Sequence, residues 1–270
     1  MSNAMPEIGL VVFDWAGTTV DFGCFAPVAA FVESLGRFGV ELSPAAARGP
    51  MGLHKRDHIR ALLQLDSAAD QWRTKRGADW TEEDVEEIYR NHFTPLQLEV
   101  VTDHSQLIPG LLATVEQLEK RGIQIGTTTG YFRAAAQLVY DAAAEQGYKP
   151  QHNYCSEDVP HGRPAPWMIQ RIMEATNVFP ATRVVKVGDT VPDIHEGLNA
   201  GAWSIGVAAS SSEVGRTEEE LAALDEAGRA ALLINARRKL LAAGAHLVID
   251  TVADLPAALD QLPDVSTVGT

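Results

Sequence analysis

Two aspartates and a lysine carry the chemistry open to this chain. Asp14 ends the apolar run of VVFDWAGTTVD, after which small residues turn the chain to Asp21. A carboxylate at a strand tip suits nucleophilic attack. The position two residues on, where a general acid would sit, holds the inert Ala16. Asp189 lies in GDTVPD after another apolar run, ahead of Asp193. Asp14 and Asp189 could share one Mg²⁺, a hard cation that takes one or two carboxylates plus phosphate oxygens and water. Thr127-Thr128-Thr129-Gly130 offers hydroxyls and backbone N–H groups to phosphoryl oxygens at a helix start. Arg163, in HGRPAP, can neutralise a transferred group.

Singly, each of these has a plainer reading. An aspartate ending a strand often only caps the next turn, and Asp193 before IHEGLNAG can serve merely as a helix N-cap. Three threonines and a glycine make an ordinary strand end, and a lone arginine is commonly a solvated surface charge. Placement raises the set above its parts, because all four features follow strands or loops on one expected edge.

The elements that must hold these residues are legible from periodicity. Apolar runs near 8–13, 123–128, 183–188, 203–207 and 245–249 read as buried strands. Leu111, Leu112, Val115 and Leu118 recur at helical spacing, with Lys120-Arg121-Gly122 as a stop. A second helix is expected from Phe132 to Gln146. Strands alternating with helices predict an α/β fold with a doubly wound, parallel, Rossmann-like sheet covered on both faces. About a hundred residues between the first two strands lack that alternation. Val28, Phe31, Val32 and Leu35 form one helical stripe there, Ser43-Pro44 reads as N-cap and N1, and Thr81 caps TEEDVEEIYRNHF. The core is therefore expected over 5–23 and 101–270, with 24–100 as an inserted helical cap. In open α/β sheets ligands bind outside the carboxyl ends of the strands, so an insert rooted there acts as a lid.

Composition narrows the partners. The 270 residues are 46% hydrophobic and 21% charged, ordinary usage for a folded soluble chain. A formal charge of −14 argues against nucleic acid or anionic membrane as a partner. No apolar run approaches the ~18–20 residues of a membrane span. The opening MSNAM reads as an expression remnant and no secretory signal is visible. With only Cys24 and Cys155, a disulfide framework or zinc cluster is not expected, and a reducing cytoplasmic setting fits best.

DWAGTTVD, the threonine-glycine strand end, the basic residue of GRP and GDTVPD, in that order, resemble the haloacid dehalogenase superfamily of phosphoryl-transfer enzymes. The resemblance spans nearly the whole chain. It implies that the first aspartate attacks phosphorus to form an aspartyl-phosphate. Two positions on, that superfamily normally has an aspartate serving as general acid and base. Ala16 departs from the pattern, so a phosphate ester's leaving alkoxide would lack its proton donor.

Lys55, in MGLHKRDH of the insert, answers this departure. It is expected at a helix start beside Arg56 and one turn from His58, where neighbouring positive charge and burial favour a neutral amine. Most lysines are solvated helix residues, but that reading leaves Ala16 unexplained. His54, next to it, is read as solvated. A Schiff-base lysine does explain Ala16. If the substrate bears an aldehyde beside a carbon–phosphorus bond, an iminium on Lys55 accepts the departing electrons as a neutral enamine. No leaving oxygen then needs a proton.

DWAGTTVDFGCFAP, PMGLHKRDH, TTTGY, GRPAPWM and KVGDTVPD are similar to segments of the phosphonoacetaldehyde hydrolase (phosphonatase) branch of that superfamily. This resemblance implies Asp14 as nucleophile and Lys55 as the Schiff-base residue. It implies Mg²⁺ held by Asp14, the Ala16 carbonyl and Asp189, with Asp193 steadying the metal's water shell. Thr129 and the Gly130 N–H would hold the phosphoryl group, and Arg163 would offset its charge. Cys24, Met51, His58 and Tyr131 would line the pocket, His58 as a candidate proton carrier. A homodimer through the cap is implied as well. Two other readings stay open. One is a phosphatase or phosphomutase of the same superfamily, which Ala16 opposes. The other is a catalytically silent metabolite binder, which intact Asp14, Lys55 and Asp189 oppose.

Overall fold

The computed structural model describes residues 8–262. The MSNAM segment, the expected core start at residue 5 and the final residues of the expected core lie outside them. Six strands form one parallel sheet in the order β3-β2-β1-β4-β5-β6. They are β1 (Leu10–Phe13), β2 (Gln124–Thr129), β3 (His152–Cys155), β4 (Val184–Gly188), β5 (Trp203–Val207) and β6 (Leu247–Ile249). The order reverses at β1, so β1 sits centrally between β2 and β4, with Phe13 in register with Thr127 and Val187. Leu10 to Phe13 are completely buried because helices cover both faces.

Six helices follow β1: α1 (Ala26–Gly36), α2 (Pro44–Arg48), α3 (Lys55–Leu63), α4 (Asp66–Arg76), α5 (Glu82–Glu87) and α6 (Thr94–Val100). A π-helical segment, Ile88–Phe93, joins the last two. These helices occupy the stretch expected to form the cap. Ser43 and Thr81 cap their helices as the sequence predicts, Thr81 within a capping box. The core continues with α7 (Leu111–Lys120), α8 (Arg133–Glu145), α9 (Trp167–Thr176), α10 (Val191–Asn199), α11 (Glu218–Ala222), α12 (Glu226–Ala242) and α13 (Leu255–Leu259).

One strand escapes the sequence reading. β3 is HNYC, at the sheet edge, with three of its four residues only half-buried. It therefore lacks the apolar run that marks the other five. Its backbone pairing with β2, Thr129 opposite Cys155, holds it in place.

Two chain crossings connect the cap to the sheet. Val20 bridges Leu107, and the Asp21 N–H donates to the Gln106 carbonyl at 3.2 Å. Asp21, at φ 54°, turns the chain into α1 and its carboxylate accepts from the Phe25 and Ala26 N–H groups. The largest apolar cluster is shared: Phe13 and Trp15 of the core belong to it together with Phe31, Ile59 and Leu62 of the helices after β1.

At Gly130 the two parts meet closely, backbone against backbone. A Cβ there would lie 2.8 Å from the Leu53 carbonyl oxygen and 2.9 Å from that of Gly52. Gly130→Ala is therefore expected to leave the sheet intact and prop the cap away from it. Amide exchange at residues 51–54 should rise about tenfold, the effect of roughly 1.4 kcal/mol at that contact; unchanged exchange would show that the two loops adjust freely.

Candidate active site

Asp14 is fixed at the tip of β1 before its side chain does anything. Its N–H donates to the Val187 carbonyl at 2.9 Å, and its own carbonyl accepts from the Thr19 hydroxyl at 2.9 Å. Trp15 next anchors the turn, its ring packing against Tyr140 and Tyr148 at centroid distances of 4.8 and 5.3 Å. The Thr18, Thr19 and Val20 N–H groups all converge on the Trp15 carbonyl. Gly17, at φ 87°, leaves the room that Asp189 fills: a Cβ there would sit 2.5 Å from Asp189 Oδ2.

Around Asp14 the strand tips assemble a buried charge cluster. Arg163 is the hub, reaching Asp14 Oδ1 at 2.7 Å, Asp193 Oδ1 at 2.8 Å and Glu196 Oε2 at 3.0 Å. Lys186 lies 3.0 Å from Asp193 and 3.2 Å from Glu196, and donates to the Thr128 hydroxyl at 2.7 Å. Burial pushes the Asp14 carboxyl up against the pull of Arg163. It pushes Asp189 well up, with Asp14 and Asp193 adding to the effect. Asp193 is held below the usual carboxylate range by Arg163 and Lys186, which outweigh its burial.

The donor set fits a divalent cation. Oxygens of Asp14, Asp189 and Asp193 lie within 4.8 Å of one another, all three residues buried. Asp189 Oδ2 accepts from the Ser212 N–H at 2.8 Å, while its Oδ1 has no hydrogen-bond partner. A buried carboxylate oxygen left bare is costly unless a cation serves it. The cluster's formal charge agrees. Asp14, Asp189, Asp193 and Glu196 face Arg163 and Lys186, so two negative charges stay uncompensated. Hard oxygen ligands of this kind suit Mg²⁺-like ions.

Lys55 reaches the same place from the other side. It is the first residue of α3, 4% exposed, with Nζ 4.7 Å from the Tyr131 ring centroid and 5.7 Å from that of Phe31. Burial lowers its amine to about 8, with the Arg163 charge adding to the effect. Its place at the positive end of the α3 dipole works in the same direction. Asp14, Ala16, Cys24, Met51, Lys55, Thr129, Gly130, Tyr131 and Arg163 line one small cavity, joined by Pro27, Gly52 and Thr190. It holds about 20 Å³, room for roughly one water.

Several expectations about the lysine's neighbours need correcting. Arg56 is not what depresses the amine, because its guanidinium turns away to Glu86 at 2.6 Å. His58 does not line the cavity. It is fully buried one layer behind, its ring 3.8 Å from Phe31 and its Nε2 donating to the Ala47 carbonyl at 2.8 Å. Burial and the nearby Lys55 keep it neutral, well below the ordinary histidine value. His54 is half-buried and not simply a solvated residue: its Nδ1 accepts from the Arg56 N–H at 3.2 Å, capping α3.

Two members of the charge cluster escaped the sequence reading, although each leaves a trace there. Lys186 interrupts an otherwise apolar central strand, VVKVG, where a charge is tolerated only if paired. Glu196 stands three residues after Asp193, on the same face of α10. Thr128 is likewise committed to the cluster through Glu196, Arg163 and Lys186. That leaves Thr129 and Gly130 to face the cavity.

Comparison with known proteins places the chain in a family. A haloacid dehalogenase-like hydrolase family model matches residues 8–201, and a related hydrolase-like model matches 160–255. A phosphonoacetaldehyde hydrolase of Syntrophobacter fumaroxidans is 46% identical over 96% of this chain and 93% of its own. One from Hahella chejuensis is 43% identical over 94% and 86%. The crystal structure of a phosphonoacetaldehyde hydrolase-like protein from Oleispira antarctica superposes with a TM-score of 0.92 at 39% identity, covering 97% of this chain and 95% of that one. A Pseudomonas syringae hydrolase, 19% identical with a TM-score of 0.69 over 94% and 99% of the two chains, shares the fold. The chain therefore belongs to the haloacid dehalogenase-like hydrolases and, within them, to the phosphonoacetaldehyde hydrolase family.

Proposed function

We propose that this enzyme hydrolyses phosphonoacetaldehyde to acetaldehyde and phosphate, using Asp14 as nucleophile and Lys55 as the Schiff-base amine. One observation carries the reading: Asp14 and a buried Lys55, without an ion pair among the described residues, line the same small cavity, and Ala16 stands where an acid would be needed for an ester. The relatives' names supply the substrate, and the chemistry of these residues suits it.

Lys55 Nζ adds to the aldehyde carbon and, with uptake of one proton, water leaves, giving an iminium bonded to the carbon that bears phosphorus. At pH 7 an amine titrating near 8 is neutral in roughly one molecule in ten, about 300-fold more than at the ordinary value of 10.5. An Asp14 oxygen then attacks phosphorus in line. As the P–C bond breaks, its electron pair moves into the iminium to give an enamine on Lys55 and an acyl phosphate on Asp14. Water hydrolyses the acyl phosphate; protonation of the enamine and hydrolysis of the imine release acetaldehyde. Thr129 and the Gly130 N–H would hold the phosphoryl oxygens, with Arg163 offsetting their charge. A divalent cation, when held by Asp14, Asp189 and the Ala16 carbonyl with Asp193 behind, would neutralise phosphoryl charge and keep Asp14 ionised. Cys24, Met51 and Tyr131 would shape the pocket, and His58, one layer back, would act on Lys55 only indirectly.

The 24–100 segment is the cap in this proposal, and it must open, because about 20 Å³ cannot admit the substrate. Its closure protects an imine and an acyl phosphate from uncontrolled water. The proposal also includes a homodimer through the cap. Among its described residues Leu65 is the large apolar side chain left exposed, so such an interface is mostly polar. Light scattering should give twice the chain mass, and the chain mass alone would remove this part. Cys24 and Cys155 are both buried and unpaired, in keeping with a reducing, cytoplasmic location.

Borohydride reduction with phosphonoacetaldehyde and Mg²⁺ should leave a two-carbon adduct on Lys55, lost in Lys55→Arg. Turnover without any adduct would sink the imine route. Lys55→Met should abolish turnover yet stabilise the fold at pH 7. The folded amine titrates near 8 and the unfolded one near 10.5, so the unfolded chain binds more protons between those values. Stability therefore rises with pH across that window, and below it the charged lysine costs about 3 kcal/mol. If Lys55→Met proves no more stable than the parent, the lysine's charge is solvated in the folded state.

Removing divalent ions should stop turnover and lower the melting temperature, and adding Mg²⁺ should reverse both. Asp189→Asn should abolish the Mg²⁺-dependent rise in melting temperature. A rise that survives the substitution would place the ion elsewhere.

A further inference from the structure

The residue before the reacting lysine does more than precede it. His54 has φ −55° and ψ 138° and is the N-cap of α3, so Lys55 is that helix's first residue. N-caps are normally Ser, Thr, Asp or Asn, none of which loses its acceptor near neutral pH. Here the acceptor is imidazole Nδ1, 3.2 Å from the Arg56 nitrogen. That bond requires the neutral ring with its proton on Nε2. A second proton would turn the acceptor into a donor facing an N–H, at the positive end of the helix dipole.

We propose that His54 is a positioning residue for Lys55: its neutral imidazole holds the first turn of α3, and its protonation releases the turn that carries the amine. The inference rests on the reading of Lys55 as the Schiff-base residue. The surroundings of His54 suit the role. Its ring is half-buried, 5.8 Å from the Tyr89 ring, and its Cβ lies 3.9 Å from where a Cβ on Gly162 would stand. It is thus wedged between the π-helical segment of the cap and the core loop that carries Arg163. It also faces an open cleft of about 870 Å³, through which water and protons reach it.

The charged groups around it pull both ways. On its own helix Lys55 and Arg56 disfavour its protonation and Asp57 favours it; from the core loop Glu157 favours it. Arg56 is paired to Glu86 of α5, and Glu157 is shared with the Tyr89 hydroxyl and the Arg133 N–H. Burial outweighs the rest and lowers the ring below its ordinary 6.5, so the cap is intact at neutral pH. With the folded value depressed, the unfolded chain binds the proton first. The cap's contribution is therefore present above 6.5 and is lost as pH falls through the lowered folded value.

The test compares wild type with His54→Asn, which keeps a cap acceptor that cannot titrate, and His54→Leu, which has none. The readouts are kcat/KM on phosphonoacetaldehyde and borohydride trapping at Lys55, from about pH 8 down to about pH 5.5. The ratio of His54→Asn to wild type should be near one at the upper end and rise to about fivefold at the lower end. His54→Leu should be about fivefold low throughout, with no extra acid-side loss. A ratio that stays flat while wild type still forms the Lys55 adduct overturns this inference alone, even if melting temperatures shift. No adduct in wild type near pH 8 overturns the Schiff-base reading and this inference with it.

Discussion

Four carboxylates and two cations are shut away from water at the carboxyl ends of β1 and β4, and that enclosure governs the rest of the structure. Arg163 binds three of the acids and Lys186 two, yet the total stays negative and Asp189 keeps one oxygen bare. Buried unpaired charge is expensive, so a fold that retains it does so for a ligand. A cation and a phosphoryl group together would use both the bare oxygen and the guanidinium. Asp14 is pinned there twice, through its backbone to Val187 and Thr19 and through its carboxylate to Arg163.

The cap completes the site by bringing one amine to this acidic floor. Lys55 is buried and makes no ion pair among the described residues, and that burial weakens its hold on a proton. The surface lysines and arginines do the opposite: Arg60, Arg73 and Lys120 each sit beside a carboxylate. Two opposite electrostatic environments thus meet in one cavity. The cap supplies a cation made reluctant, and the core supplies anions in excess. They meet where the backbone of Gly130 packs against that of Gly52 and Leu53.

Much of this was legible in the chain itself. Apolar runs marked the buried strands, because a strand covered on both faces must be apolar throughout. Capping residues at Ser43, Thr81 and Lys120-Arg121-Gly122 fixed helix ends through local hydrogen bonding, which needs no distant partner. Asp14 and Asp189 stood out because each ends an apolar run, and Lys55 because it offers an answer to the departure at Ala16. β3 stayed hidden because an edge strand with half-exposed residues has no such pattern.

What the sequence determined by itself was therefore local or compositional: the alternating elements, the residues at the strand ends, the alanine at position 16 and the lysine at position 55. Tertiary structure alone decided which charges meet. Lys186 and Glu196 entered the cluster, Arg56 left the lysine for Glu86, His58 withdrew behind Phe31, and His54 became a helix cap. Adjacency in sequence places a side chain within a turn, but burial and electrostatic pairing depend on distances through space. Those distances are set when a parallel sheet and the helices inserted after its first strand close on one another.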